Sequence, residues 1–251
     1  MSHFQFQTVS NIISGLGSIY ELRQLLQQQS YKKLLLITDA GMIQQQLHLP
    51  IIEILETIQL DYVIYSSVQA DPPEHIVLDA VQFAKNEKAD IVLGFGGGSS
   101  LDVAKVIAIL AHPAQHQTLQ DLYGINNAKN PRLPLFLVPT TAGTGSEVTP
   151  ISIVTTGETT KTGIVSPVLF ADVAILDATF TQNLPAHITA ATGIDAMVHA
   201  IEAYTSKIKK NPYADMLAKQ ALRLLNNNLS LVLTDGQNLA ARQNMLVGSM
   251  L

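Results

Sequence analysis

The chain has 251 residues, 47% of them hydrophobic and 14% charged, with a formal net charge of -5 and no cysteine. That length and balance suit a folded protein with ample buried core, and the acidic charge argues against a nucleic-acid or anionic-membrane binder, which would concentrate basic residues. The missing cysteines exclude disulfides, thiolate metal ligands and a cysteine nucleophile.

The opening Met1-Ser-His-Phe-Gln-Phe-Gln7 has no basic region ahead of an apolar core, so no signal peptide is expected. The apolar stretch from Val103 to Ala111 is interrupted by Lys105 and is too short to span a bilayer. A cytoplasmic protein is the expectation. Three short apolar runs, residues 33–38, 90–95 and 134–139, lack alternation and end in turn or polar residues. Such runs suit strands buried on both faces of a parallel sheet. Residues 61–65 and 173–176 read as further strands. Helical spacing separates the runs at residues 50–60, 74–88 and 100–111, so the order of elements predicts an open α/β sheet.

Beyond Pro185 the pattern is helical throughout, over residues 189–206, 212–226 and 239–251. A boundary near Asn183 therefore divides the chain into an α/β part, residues 1–182, and a helical part, residues 183–251. The last helix stops on apolar residues with no Gly, Pro or basic last turn, which reads as a truncated domain.

Four places carry candidate chemistry. Asp39 ends the first long strand, where a carboxylate can accept the ribose hydroxyls of an adenosine and repel a 2′-phosphate, favouring NAD over NADP; Thr38-Asp-Ala-Gly41 also reads as an ordinary turn. Gly96, Gly97, Gly98, Ser99 and Ser100 join a strand to a helix, and suit a pyrophosphate resting on free helix N–H groups. Asp102 is expected in the first turn of that helix, where it could serve as a capping residue. The run Thr140-Thr-Ala-Gly-Thr-Gly-Ser-Glu-Val-Thr149 offers hydroxyls and glycines beyond the third strand, at the edge where α/β sheets gather ligands.

The fourth place is Asp195 with His199. If residues 189–206 are helical, spacing by four puts a carboxylate and an imidazole on one face, which is half of a divalent-metal site. The same spacing would also suit a hydrogen-bonded surface pair. His112 and His116 share the spacing, but Pro113 makes a helix there improbable.

Together these motifs resemble the iron-containing alcohol dehydrogenase family, whose fold is shared by glycerol dehydrogenase and dehydroquinate synthase. The resemblance runs from Gly15-Leu-Gly-Ser18 to Ala241-Arg-Gln-Asn-Met245. It is most specific from Ala174-Ile-Leu-Asp177 through Pro185 to Gly193-Ile-Asp-Ala-Met197 and His199-Ala-Ile-Glu202. It implies a mostly parallel α/β dinucleotide-binding domain followed by an all-helical metal-binding domain, with the active site between them. Asp39 matches the adenosine-ribose acid, and Gly96 to Ser100 match the pyrophosphate loop. Thr140, Thr141, Thr144, Thr149, Ile151 and Lys161 match cofactor contacts, and Asp195 and His199 match two metal ligands. The implied activity is hydride transfer between NAD and a small alcohol or aldehyde, with Fe2+ as the expected metal and Zn2+ also accepted; a homodimer that covers the apolar helical faces is the expected assembly.

The departure is that the family completes its metal site with two histidines from a later helical region, which this sequence does not reach. The 251-residue form is therefore expected to be a poor catalyst, with the apolar faces of residues 189–206 and 239–251 exposed. A catalytically incompetent NAD-binding module is one alternative. A glycerol dehydrogenase or dehydroquinate synthase type of enzyme is another.

Overall fold

Strands covered on both faces need apolar residues at every position, and this requirement organises the computed structural model, which describes residues 4–208 and 210–251. The first three residues of the amino-terminal segment lie outside it. The chain enters through β1 (Asn11–Ser14) and α1 (Leu22–Gln27), then forms β2 (Lys33–Asp39), α2 (Ala40–Gln44), α3 (Leu49–Thr57) and β3 (Asp61–Val68). Next come α4 (Glu74–Glu87), β4 (Ile91–Gly96), α5 (Gly98–Leu110), α6 (Leu119–Leu122), β5 (Gly124–Ile125) and β6 (Leu135–Pro139). A hairpin of β7 (Ile151–Thr155) and β8 (Lys161–Val165) precedes β9 (Val173–Leu176). The chain then turns helical, with α7 (Ala186–Thr205), α8 (Pro212–Thr234) and α9 (Leu239–Met250).

Six strands form one parallel sheet in the order β1-β9-β6-β4-β2-β3. Every residue of β4, β6 and β9 is buried. Along β2 the pleat sends Leu35 and Ile37 into the core that holds α4 and α5, and Leu34 and Leu36 into the core that holds α1 and α3. α5 carries an almost continuous buried surface from Ser100 to Leu110, which explains an apolar stretch with no polar face. The helical part has a smaller core of Ala196, Leu225, Val232, Ala241 and Met245. No helix of the described residues is long and apolar enough to cross a membrane.

Several elements depart from the sequence expectation. β1 is four residues at the sheet edge, and β5, β7 and β8 form a second sheet, with β7 and β8 antiparallel. In β7 Ser152 and Val154 face inwards while Ile151 and Ile153 stay 38% and 37% exposed, a reversed polarity that hides the strand from a period-two reading. α8 continues eight residues past Asn226. The low helix propensity of the asparagine triplet is offset by tertiary contact, because Asn228 is buried and accepts a hydrogen bond from Asn244 at 3.2 Å. α9 does not present a bare apolar face: Met245 and Leu246 are buried, and Gly248 packs so closely on Leu225 that a Cβ would lie 2.9 Å from its Cγ. The expected exposure holds for α7, where Ile194, Val198 and Ile201 stand 51%, 44% and 46% exposed.

Candidate cofactor and metal site

A parallel sheet delivers the carboxyl ends of its strands to one edge. After β2 the chain adds β3 on one side and then crosses to place β4 on the other, which opens a crevice between the two departing loops. Asp39 stands at the end of β2 and Gly96 at the end of β4; a Cβ on Gly96 would lie 3.3 Å from Asp39 Oδ2. Asp39 makes the turn that the sequence allowed and keeps one carboxylate oxygen out of it. Its Oδ1 accepts from the Gly41 and Met42 N–H groups at 2.8 and 3.2 Å, capping α2, while Oδ2 makes no hydrogen bond among the described residues and faces the glycine loop.

α5 begins at Gly98, two residues earlier than expected, and its N-cap residue Gly97 has no side chain to satisfy the free N–H groups. Ser99 and Ser100 sit in this first turn. Gly96 has φ +148°, a conformation that L side chains rarely adopt, so the glycine there is a backbone requirement. The early start of the helix moves Asp102 beyond the first turn, which corrects its expected position. Its carboxylate turns inwards: Oδ1 accepts from Ser146 Oγ at 2.5 Å and Oδ2 from the Ile153 N–H at 2.9 Å.

The loop leaving β6 closes over the same helix end. Thr140 N–H donates to the Gly96 carbonyl at 2.9 Å, and Thr141 is the nearest side chain to Gly97. A Cβ on Gly98 would come within 2.9 Å of Thr144 Oγ1. Thr149 and Ile151 follow at the start of the hairpin. Lys161, at the start of β8, reaches Asp71 Oδ1 at 2.6 Å, and the Asp71 N–H donates to Ser99 Oγ at 3.3 Å. The structure thus draws Lys161 to the α5 end of the crevice through a residue that sequence reasoning did not single out.

Sequence reasoning also missed Lys105. It is fully buried, and its Nζ lies 2.6 Å from the Ile151 carbonyl, 2.8 Å from Ser146 Oγ and 3.4 Å from both Thr149 Oγ1 and Asp102 Oδ1. Burial lowers its pKa against the attraction of Asp102 and Glu147. Burial also pushes the Glu147 carboxyl up to about 7, with Lys105 pulling it back. The available signal was a charged residue inside an otherwise apolar helix run, because lysine is almost never fully buried without partners.

The metal candidates stand next door. Gly143 in the β6 loop packs on Thr192 of α7, where a Cβ would lie 2.9 Å from the Thr192 Cβ. Asp195 is three residues further, about 4.5 Å along the helix axis. Its Oδ1 lies 3.7 Å from His199 Nε2, with the two side chains 45% and 49% exposed. That separation is beyond hydrogen-bond reach but within ion-pair distance, so the surface-pair reading stands beside the metal one. Two donors each about 2.0–2.2 Å from one tetrahedral ion stand roughly 3.3–3.6 Å apart, so the pair fits one ion with little adjustment. Among the described residues no group of three or more His, Asp or Glu side chains is placed to hold a metal. The donors fit half of a coordination shell.

A cavity of about 870 Å³ lies elsewhere, between the amino-terminal segment, the small sheet and α8, and it touches the site loops only at Val148, Thr149 and Pro150.

Comparison with known proteins gives the family and the fold. The chain is 37% identical over 249 residues to a sulfoacetaldehyde reductase of Bilophila wadsworthia, covering 99% of this chain and 64% of that protein. It is 39% identical over 238 residues to long-chain-alcohol dehydrogenase 1 of Geobacillus thermodenitrificans, covering 94% and 60%. The crystal structure of a 1,3-propanediol oxidoreductase superposes with a TM-score of 0.94 at 35% identity, over 99% of this chain and 65% of that one. A sulfoacetaldehyde reductase from Bifidobacterium kashiwanohense, solved in complex with NAD+, superposes with a TM-score of 0.91 at 26% identity, over 100% and 66%. The chain therefore spans slightly less than two thirds of the length of these relatives. The family model for iron-containing alcohol dehydrogenase matches residues 10–178, and the one for the C-terminal part of the Fe-containing alcohol dehydrogenase family matches residues 189–251. The chain belongs to the iron-containing alcohol dehydrogenase family.

Proposed function

We propose that the chain binds NAD along the carboxyl edge of its sheet and serves reversible hydride transfer between NAD and a small alcohol or aldehyde. The observation that carries this reading is convergence. Asp39, the uncapped end of α5 and the β6 loop meet at one edge, and Asp195 stands one helical turn from that loop's contact with Thr192. Asp39 Oδ2 is placed to accept ribose hydroxyls, and its charge disfavours a 2′-phosphate. The N–H groups opening α5 hold the pyrophosphate, with the Lys161 ammonium, paired to Asp71, available beside them. Thr140, Thr141, Thr144 and Thr149 supply hydroxyls, and Ile151 apolar surface, to the rest of the cofactor. Bound NAD supplies the hydride acceptor or donor.

Asp195 and His199 are the residues that would hold Fe2+, or Zn2+ in its place. A bound divalent ion supplies Lewis-acid polarisation of a substrate oxygen. Catalytic zinc sites have three protein ligands, so with two the 251-residue chain by itself holds the ion loosely and turns over poorly. The decisive experiment measures metal content after loading with ferrous iron or zinc and dialysis, with NAD reduction by short alcohols and NADH oxidation by aldehydes alongside. NADH binding with little retained metal is expected. One tightly held ion per chain together with turnover would overturn the half-site reading, and absence of NADH binding would overturn the function. A nucleotide-binding module without catalysis is the second reading, favoured by the lack of a third donor near Asp195 and His199 among the described residues. Turnover by this chain alone rejects it.

A further inference from the structure

The buried ammonium of Lys105 has no place in the chemistry above, yet it is among the most heavily engaged side chains of the molecule. With its neighbour Asp102 it contacts Ser146, Thr149, Ile151, Ser152 and Ile153. These five residues lie where the β6 loop becomes β7, and what ties them to α5 is this set of side-chain bonds. Ser146 Oγ is the centre of the arrangement, accepting from Lys105 at 2.8 Å and donating to Asp102. Its N–H in turn donates to Thr144 Oγ1 at 3.2 Å, and Thr144 stands over Gly98 at the start of the helix. A charge-assisted network in a dry interior is strong when every member is satisfied, and costly when one is removed.

We propose that Lys105 is a positioning residue of the cofactor site. Without touching the cofactor, it holds residues 144–153 against α5 so that Thr144 and Thr149 face the crevice. This rests on the NAD reading above and refines it. The sheet order β2-β4-β6 places Asp39 at one end of the crevice and the β6 loop at the other. Lys105 therefore serves the end remote from Asp39, and its loss should fall unequally on ligands of different length. ADP needs Asp39 and the α5 end; NADH also needs the β6 loop.

The test titrates NADH and ADP into the full chain and its Lys105→Met variant, and follows amide hydrogen exchange over residues 144–153. The variant is expected to bind NADH about tenfold more weakly, the scale of one lost charged partner, while ADP stays within about threefold. Exchange should quicken in residues 144–153 and not in β2 or β4. Ser146→Ala, which removes the central hydroxyl and keeps the charge, should shift NADH affinity and exchange in the same direction by less, and carries the test if Lys105→Met does not fold. Equal weakening of NADH and ADP would mean a general structural role and overturn the proposal, as would unchanged NADH affinity with unchanged exchange. Failure of the unsubstituted chain to bind either ligand overturns the NAD reading itself, and this inference with it.

Discussion

The nucleotide edge and the metal face of α7 meet at the contact of Gly143 with Thr192, yet they are built to different degrees of completion. At the nucleotide edge each element is held by several others: Asp39 caps α2, Thr140 bonds to Gly96, and Asp102 and Lys105 clamp the β6 loop. On α7 the two candidate metal donors are about half exposed, 3.7 Å apart and flanked by exposed Ile194, Val198 and Ile201. The first region is preorganised by its own fold. The second offers two candidate donors, and among the described residues no third His, Asp or Glu is grouped with them. On the proposed reading, binding and chemistry should therefore be separable, because the elements assigned to the nucleotide are held together without the residues assigned to the metal.

That separation can be attacked from both sides. The largest effect is expected from Gly98→Val, whose side chain would enter the space of Thr144 at the mouth of α5. NADH affinity should fall about a hundredfold, roughly 2.7 kcal/mol, in a fluorescence titration, with far-ultraviolet circular dichroism unchanged. Retained affinity would show that the pyrophosphate does not sit on this helix. Asp39→Asn comes next. Asparagine keeps the cap on α2 and removes the charge, so NADH should weaken about tenfold while NADPH gains. The two cofactors moving together would remove Asp39 from the ribose site.

Glu147 gives a smaller, pH-dependent effect. Its folded pKa is raised from 4.5 to about 7, so the folded state binds a proton that the unfolded state has lost. The stability tied to that proton is fully present below 4.5 and is lost as pH rises to about 7. Glu147→Gln, which keeps a neutral side chain near Lys105, should flatten this fall. Chemical denaturation at pH 5 and pH 7 should show the variant losing less stability than the parent over that interval. A parallel pair of curves would place the Glu147 carboxylate in a more polar setting than the structure does. The smallest effect is expected from His199→Ala. NADH affinity should stay within about twofold and stability within about 0.5 kcal/mol, because the side chain is half exposed, while any measurable iron or zinc affinity disappears. A large loss of NADH affinity would join the two regions and defeat the comparison.

Local signals in the chain determined the α/β architecture. Short unalternating apolar runs, alternating with helical segments, suit a covered parallel sheet, and such a sheet delivers Asp39, Gly96–Gly98 and Thr140–Thr149 to one edge. Spacing by four likewise sufficed to align Asp195 with His199. The roles that escaped the sequence depend on partners distant along the chain. Asp102 reads as a helix-start carboxylate, but the helix begins two residues earlier, and the inward turn of its carboxylate depends on Ser146 and Ile153. Lys105 reads as an interruption in an apolar run until Ile151 supplies a carbonyl 46 residues away. β7 and β8 carry too weak a pattern to declare themselves and form by pairing with each other, and α9 ends on apolar residues whose packing comes from α7, α8 and the turns after β6 and β9. Periodicity reports which face of an element is buried. A hydrogen bond or ion pair between distant residues leaves no periodic trace, so only the tertiary structure decided which polar groups hold the site together and which are left to meet a ligand.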